Sequence, residues 1–363
     1  MQKPYEIAVI YGDGIGPEIG SAAVEVLKAA LKDDNILNFI EYPAGAQCFL
    51  DTGTAFPEIT LEGCRRADAI LHGAAGLPNV LHPDGTEAGQ DFSLNLRFKL
   101  DIYANVRYVK GYDGVPIRLV GKRPKDIDYV VMRENTEGLY ASRGAGSLLR
   151  DKLATDTLII TREGTERIAR SAFELARKRK GAPLDGRKRV TVCDKANVLR
   201  CYAFFRKVCS EIAEAYPDVE LDYCLVDAMV AYLVTRPEYY DVIVVENMFG
   251  DIISDLGPAT AGGLGLSPSA ELGTNVGYFQ AAHGSAPDIA GQDLANPVGT
   301  ILSGALMLEW LGDLNSSNLL LEAANRIRNA VKNLYAEKRI LTSDLGGSAK
   351  TSEVTTAICK ALA

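Results

Sequence analysis

Along this chain, short runs of aliphatic and β-branched residues alternate with longer stretches whose apolar positions recur three and four apart. Glu6 to Tyr11 is followed by a helical pattern over Ile19 to Leu31, Val190 to Cys193 by one that runs through Ala215, and Asp241 to Glu246 by another. Asp128 to Met132 is a further strand-like run. Strands alternating with helices predict an α/β fold on a mostly parallel sheet. No internal repeat or low-complexity segment interrupts the alternation, and the glycine-rich breaks at 144–146 and 262–265 do not look like flexible linkers.

The polar positions add a second regularity. Arg133 ends the run from Tyr129, Lys195 follows Arg189 to Asp194, Asp227 follows Leu221 to Val226, and Asp251 comes shortly after Asp241 to Asn247. Each charged residue falls just past the carboxyl end of a predicted strand, the edge at which open α/β sheets bind ligands.

Composition then narrows the partners. Of 363 residues, 47% are hydrophobic and 24% charged, an ordinary globular balance, and 39 Lys plus Arg against 47 Asp plus Glu leave a formal charge of −8 without a basic block. Nucleic acid is not an expected partner. No apolar run reaches the roughly 18 residues of a membrane span, and the first is too short for a signal-peptide core, so a cytoplasmic protein is expected. Seven cysteines with no C-x-x-C pair encode neither a disulfide framework nor a thiolate zinc site, and read as small core hydrophobes. With only His72, His82 and His283 as histidines, any metal site must be built mainly from carboxylates, which points to Mg2+ or Mn2+.

Several segments carry candidate chemistry. Gly12-Asp-Gly-Ile-Gly-Pro-Glu18 follows the first strand, with Pro17 suited to a first helical turn and Glu18 to the positive end of the helix. As a G-x-G-x-x-G dinucleotide fingerprint it fails, because the third glycine is displaced, and read alone it serves equally as a structural turn. Asp251 and Asp255, four apart, lie on one helix face about 6 Å apart along the axis. There they can share a divalent cation, with Asp227 as a third ligand; read alone, the pair is also an acidic first turn.

Arg97, Arg107 and Arg133 are candidates for a clamp on carboxylates, whose planar two-pronged geometry a guanidinium matches and an ammonium does not. A metal beside several arginines describes a small polycarboxylate site. Lys195 can act as a general base if its surroundings lower its pKa, and Tyr140, in Glu134 to Tyr140, can supply a phenolic proton. His283 to Gly291, followed by Asn296-Pro297, is a small-residue loop whose backbone can approach a ligand closely. Within it, Asp288 can accept hydrogen bonds from both hydroxyls of an adenosine ribose and would repel a 2′-phosphate.

Taken together and in order, GDGIGPE, the Arg97 and Arg107 pair, RENTEGLY, DKANVL, VDAM, FGDIISDLG and HGSAPDIAG resemble the β-decarboxylating dehydrogenases, the family of isocitrate, isopropylmalate, homoisocitrate and tartrate/D-malate dehydrogenases. The resemblance implies a two-domain fold of the isopropylmalate dehydrogenase kind. Residues 1–102 and 262–363 would form a discontinuous large domain with a non-Rossmann cofactor site, and residues 103–261 a smaller substrate and dimerisation domain. It also implies that Arg97, Arg107 and Arg133 hold the malate carboxylates and that Asp251 and Asp255 bind Mg2+ or Mn2+. Lys195, the base, and Asp227 would come from the second subunit of a homodimer, and Tyr140 would protonate the product enol. NAD would lie against Ile15, His283, Gly284, Ser285, Ala286, Asp288, Ile289 and Asn296.

Within the family, the length of the segment from Gly73 to Arg97, Asp194 before Lys195, YPDVELDYCLVDAM and DLGGSAKT look like the isopropylmalate dehydrogenases. That likeness implies 3-isopropylmalate as substrate and a place in leucine biosynthesis. The C3 substituent would meet Gln90, Ser93, Leu94 and the partner subunit's Val198. Where that subfamily usually has a Glu and two leucines, this chain has Gln90, Ser93 and Leu94, and serine for leucine removes several methylene contacts worth about 0.8 kcal/mol each. Tartrate, D-malate, isocitrate and homoisocitrate are the alternative substrates. A second departure is Gln280-Ala281-Ala282 before His283, where the family usually has Glu-Pro-Val. A non-catalytic regulatory subunit would share the fold but lose catalytic positions, whereas Lys195, Tyr140, Asp227, Asp251 and Asp255 are all present here.

Overall fold

The computed structural model describes residues 3–33, 35–337 and 340–363. In chain order its helices and strands are β1 (Tyr5–Gly12), α1 (Gly16–Leu31), β2 (Leu37–Glu41), α2 (Ala46–Thr52), α3 (Glu58–Arg66), β3 (Ala69–Ala74), α4 (Gln90–Lys99), β4 (Ala104–Lys110), β5 (Asp128–Glu134), β6 (Ser147–Leu149), β7 (Leu153–Thr155), α5 (Arg162–Lys178), β8 (Arg189–Asp194), α6 (Arg200–Ala213), β9 (Glu220–Leu225), α7 (Val226–Thr235), β10 (Val242–Val245), α8 (Asn247–Ala261), β11 (Pro268–Leu272), β12 (Gly277–Ala281), α9 (Val298–Asn315), α10 (Asn318–Ala336) and α11 (Thr351–Leu362). They form two compact units, one of Met1–Ile102, Tyr112–Pro116 and Gly262–Ala363, the other of Tyr103–Gly111 and Ile117–Ala261.

In the first unit the strands lie in the order β2-β1-β3-β12-β11. All neighbours are parallel except β11 and β12. Parallel strands covered on both faces are apolar at every position rather than alternately, and Ile7, Ala8, Val9, Ile10, Ala69, Ile70 and Leu71 are accordingly buried. α9 is buried on nearly every side, which is why its sequence shows no polar stripe. Pro17 and Glu18 open α1, and the Glu18 carboxylate accepts hydrogen bonds from the Gly291 amide (2.8 Å) and the Thr351 hydroxyl (3.3 Å). The turn after β1 is thereby tied to the loop at 283–291 and to α11.

In the second unit the order is β4-β5-β10-β8-β9. Here β4 and β5 are antiparallel and the remaining pairs parallel. One core cluster joins Val109, Tyr129, Val131, Ile243 and Val245 of the strands to Met229 and Leu233 of α7 and Ile253 of α8, and so seats both helices against the sheet. β10 covers only the apolar part of the run expected from Asp241 to Glu246, because the flanking acids have other partners: Asp241 accepts from Arg179 Nε (2.7 Å), and Glu246 turns to the start of α8. The helix expected through Ala215 ends at Ala213, where the Tyr216 amide turns back onto the Ala213 carbonyl (2.8 Å). β6 and β7 make a two-stranded antiparallel hairpin whose residues are all exposed.

All seven cysteines are free, and Cys48, Cys64, Cys193, Cys209 and Cys224 are buried. Among the described residues no helix is long and apolar enough to cross a membrane.

Candidate active site

The second unit gathers one group of expected site residues around α8. Asn105 lies opposite Arg133, and Arg107 opposite Val131, in the β4–β5 register, so both arginines project from one face of the sheet. Both are buried. Arg133 donates through Nε (3.0 Å) and Nη2 (2.7 Å) to Asn247 Oδ1 and through Nη1 to Asp251 Oδ1, while Asn247 Nδ2 donates to the Glu137 carbonyl (2.9 Å). Gly250 permits this approach: a Cβ there would stand 2.6 Å from Arg133 Cγ. Arg107 Nε donates to Asn105 Oδ1 (2.8 Å).

Tyr140, in the short turn after β5, donates its hydroxyl to Asp251 Oδ2 (3.2 Å), and the Arg133 guanidinium lies 5.7 Å from the centre of its ring. A guanidinium and a phenol thus converge on the Asp251 carboxylate. Asp255 follows one turn later and reaches solvent. Burial of its surroundings nevertheless raises its carboxyl above the usual range; Arg107 and Arg133 oppose the shift and the Asp251 charge adds to it.

The first turn of α8 carries no acid, so the Asp251–Asp255 pair is not an acidic helix start. That role belongs to Glu246, which accepts the Met248 (3.0 Å) and Phe249 (3.4 Å) amides and the Tyr202 hydroxyl (2.9 Å).

Lys195 and Asp227 form a second group. Lys195 follows β8 directly, Asp227 sits in the first turn of α7, and Nζ lies 2.8 Å from Oδ1. The Lys195 hydrogen bond, with help from backbone amides, holds the Asp227 carboxyl below the usual carboxylate range. Asp194 braces the segment from behind: it accepts the Ala196 amide (2.9 Å) and a two-pronged contact from Arg206 (2.8 and 2.7 Å). Val198, three residues on, is exposed.

Asp251 and Asp255 offer only oxygen donors, as a hard divalent cation requires. Among the described residues, however, no three His, Cys, Asp or Glu side chains gather at one point.

In the first unit α4 carries Gln90, Ser93, Leu94 and Arg97. Gln90 is exposed, Leu94 half-buried, and Ser93 buried with its hydroxyl donated to the Gln90 carbonyl (3.4 Å). Arg97 makes a two-pronged pair with the buried Glu271 of β11, through Nε (2.7 Å) and Nη2 (2.9 Å). The loop expected to meet a cofactor is held from below. Ile15 N donates to the Ser285 carbonyl (2.8 Å), the Ser285 hydroxyl to the Gly76 carbonyl, and a Cβ on Gly14 would collide with Ser285 O at 2.0 Å.

Gly284 has open space beside it, Ala286 takes a left-handed backbone, His283 Nδ1 lies 2.9 Å from the Gly284 carbonyl, and Asp288 is exposed in a single 3-10 turn that ends at Ile289. The open, acid-edged surface suits an adenosine ribose. Asn296, also expected at the cofactor, has its side chain engaged internally: Oδ1 accepts the Val298 amide (3.1 Å) at the start of α9 and Nδ2 donates to Asp344 (3.2 Å).

Asn247, Glu271 and Arg206 escaped the sequence reading. A signal existed for the first two: Asn247 stands four residues before Asp251, and Glu271 is the one charged residue in the run Pro268 to Leu272.

Comparison with known proteins bears on the family of the whole chain. A family model described as isocitrate/isopropylmalate dehydrogenase matches residues 6–358. A 3-isopropylmalate/3-methylmalate dehydrogenase of Methanocaldococcus jannaschii is 42% identical over 357 residues, 98% of each chain. A 3-isopropylmalate dehydrogenase of Archaeoglobus fulgidus is 41% identical over 349 residues, 96% of each. Among solved structures, an isocitrate dehydrogenase from Methylococcus capsulatus superposes with a TM-score of 0.86 at 36% identity, covering 99% of both chains. A β-decarboxylating dehydrogenase from Thermococcus kodakarensis does so with a TM-score of 0.78 at 39% identity, covering 99% of this chain and 96% of that one.

Proposed function

Since the chain belongs to the isocitrate/isopropylmalate dehydrogenase family and is a β-decarboxylating dehydrogenase, we propose that it oxidises and decarboxylates a 3-substituted (R)-malate, 3-isopropylmalate foremost, with NAD and Mg2+ or Mn2+. The observation that carries this reading is the convergence of Arg133 and Tyr140 on Asp251, one turn from Asp255, which puts a carboxylate-binding group, a proton donor and an oxygen-ligand pair in one place.

NAD, against the 283–291 loop, would supply a hydride acceptor for C2, and a divalent cation held by Asp251 and Asp255 would supply electrostatic stabilisation for the charge that develops as CO2 leaves. The chain's own residues do the rest. Arg97, Arg107 and Arg133 hold the substrate's carboxylates. Lys195 receives the C2 hydroxyl proton, directly or through water, and Tyr140 delivers a proton to C3. Asp288, exposed on its turn, favours a ribose with a free 2′-hydroxyl.

The active unit in this reading is a homodimer that shares its sites, with Asp227 of the second subunit as the third cation ligand, which agrees with the finding that no three such ligands gather at one point among the described residues of one chain. Large apolar side chains stand exposed on the elements concerned: Val230 and Val234 on α7, one and two turns after Asp227; Ile252 beside Asp251 on α8; and Leu148, Leu149 and Leu153 on the hairpin. Exposed apolar surface of this kind supports a protein interface.

One observation favours a second reading, a smaller substituent at C3. Ser93 replaces the leucine expected on α4, and a relative that is 42% identical is named for 3-methylmalate as well as 3-isopropylmalate. The test is a panel of 3-isopropylmalate, 3-methylmalate, D-malate, tartrate and isocitrate, each assayed with NAD and Mg2+ and again after exhaustive chelation. The reading expects the highest kcat/KM for 3-isopropylmalate and loss of activity on chelation. A preference for tartrate or isocitrate refutes the substrate, and full activity without metal refutes the cation.

A further inference from the structure

One face of the first unit's sheet carries a buried polar chain. Cross-strand register sets Glu271 opposite Tyr278 and Ser269 opposite Gln280 on β11 and β12, and β3 adds His72. Gln280 Nε2 donates to Glu271 Oε1 (2.7 Å), which fixes the orientation of the amide, since a carboxylate accepts only from its NH2 end. Its Oε1 then accepts from the Tyr278 hydroxyl (3.1 Å) and from His72 Nδ1 (2.9 Å). Burial holds His72 neutral by pushing its pKa down to about 4. At the other end Glu271, its side chain wholly buried, grips Arg97 by Nε and Nη2. The run is therefore Arg97–Glu271–Gln280–His72 and Tyr278, with one cation and one anion at its end.

We propose that Glu271 and Gln280 are positioning residues of the substrate site, which hold the Arg97 guanidinium by its Nε/Nη2 edge and so determine how it meets a substrate carboxylate. The proposal rests on the reading of Arg97 as a substrate ligand given above. It also accounts for glutamine where the family usually has glutamate. A carboxylate at 280 would put a second negative charge within hydrogen-bond distance of Glu271, in a buried place where two like charges cannot both persist. The two would compete for Arg97 or share a proton. With an amide at 280, the single negative charge stays on β11, oriented by a donor, and keeps its two-pronged pair with Arg97.

The groups facing position 280 are Glu271 on β11, Tyr278 on β12, His72 on β3 and, through Glu271, Arg97 on α4; Asp13 acts on His72 from a distance. Three variants test the arrangement. Glu271→Gln removes the charge and keeps the shape. Gln280→Glu adds the second charge. The double variant exchanges amide and carboxylate and restores one charge.

Both single variants should raise KM for 3-isopropylmalate about tenfold or more at pH 8, with kcat within about threefold and KM for NAD unchanged, as expected when substrate binding alone is lost. In Gln280→Glu the defect should shrink on lowering the pH to 6, as the extra carboxyl takes a proton, and the double variant should recover to within about threefold of wild type. Calorimetric binding of 3-isopropylmalate should follow the same order without turnover.

Substrate KM within twofold of wild type in both single variants overturns the proposal. So does equal loss for substrate and NAD, which marks a merely structural role. Should Glu271→Gln fail to fold, the pH profile of Gln280→Glu decides alone. Failure of the underlying reading appears in the wild type, as an enzyme that oxidises none of the malates; failure of the positioning proposal appears only in the variants.

Discussion

Replacing Asn247 by alanine tests whether the second unit's site is held as its geometry states. Asn247 is wholly buried and its amide makes three contacts, two accepted from Arg133 and one given to the Glu137 carbonyl. Asn247→Ala removes all three. A hydrogen bond to a charged group contributes roughly 1.5 to 3 kcal/mol, and a buried group stripped of its partner incurs its full desolvation penalty without compensation. Two guanidinium contacts and one carbonyl contact would sum to roughly 3.5 to 7.5 kcal/mol if independent, but the two guanidinium contacts share one oxygen and a water can enter the space left behind. About 2 to 4 kcal/mol of destabilisation is expected.

Function should suffer further, because Arg133 keeps Asp251 as partner and loses the group that fixes its plane; a tenfold rise in substrate KM corresponds to about 1.4 kcal/mol. Urea unfolding gives the first quantity as a lower midpoint with unchanged slope. Steady-state kinetics gives the second. An Asn247→Ala enzyme within about 0.5 kcal/mol of wild type, with unchanged KM, would show that Asn247 does not hold Arg133 and would refute the argument.

Further outcomes follow from the same structure. NAD should be preferred over NADP by at least about a hundredfold in kcat/KM, since exposed Asp288 repels a 2′-phosphate, and equal efficiencies would remove that role. Mixing inactive Lys195→Ala and Asp251→Asn chains under subunit exchange should restore activity, because hybrids place both lesions in one site and leave the other whole; demonstrated exchange without recovery would mean that each chain builds its own site. His72, pushed down to about 4 by burial, stays neutral in the fold while an unfolded imidazole titrates near 6.5. Its contribution is therefore complete above about pH 6.5 and is lost as the pH falls towards 4, by up to about 3 kcal/mol, so His72→Phe should flatten the acid limb of stability between those values. An unchanged limb in urea titrations at pH 4.5 and 7 would assign it to other groups.

How much was legible beforehand depended on whether the information was local. Ile7 to Ile10 and Val242 to Val245 read as buried strands because a strand covered on both faces must be apolar at every position, and that pattern needs no knowledge of what covers it. Asp251 and Asp255 share a helix face by the helical repeat alone, and the ordered motifs that carry the family resemblance are contiguous stretches of chain. Partners were another matter. Arg97 and Glu271 are 174 residues apart, and Arg133 and Asn247 are 114 apart.

Their pairing depends on a strand order in which β12 inserts beside β3 and β10 beside β5, and no local periodicity encodes that order. The same reason separates the fate of like residues: Asn296 is engaged at the start of α9 while Asn247 holds an arginine. Hydrophobic period and side-chain chemistry are properties of the chain and could be read from it. Which buried charge meets which arises only when distant strands become neighbours, because a desolvated ion takes whatever partner the packing brings within about 3 Å.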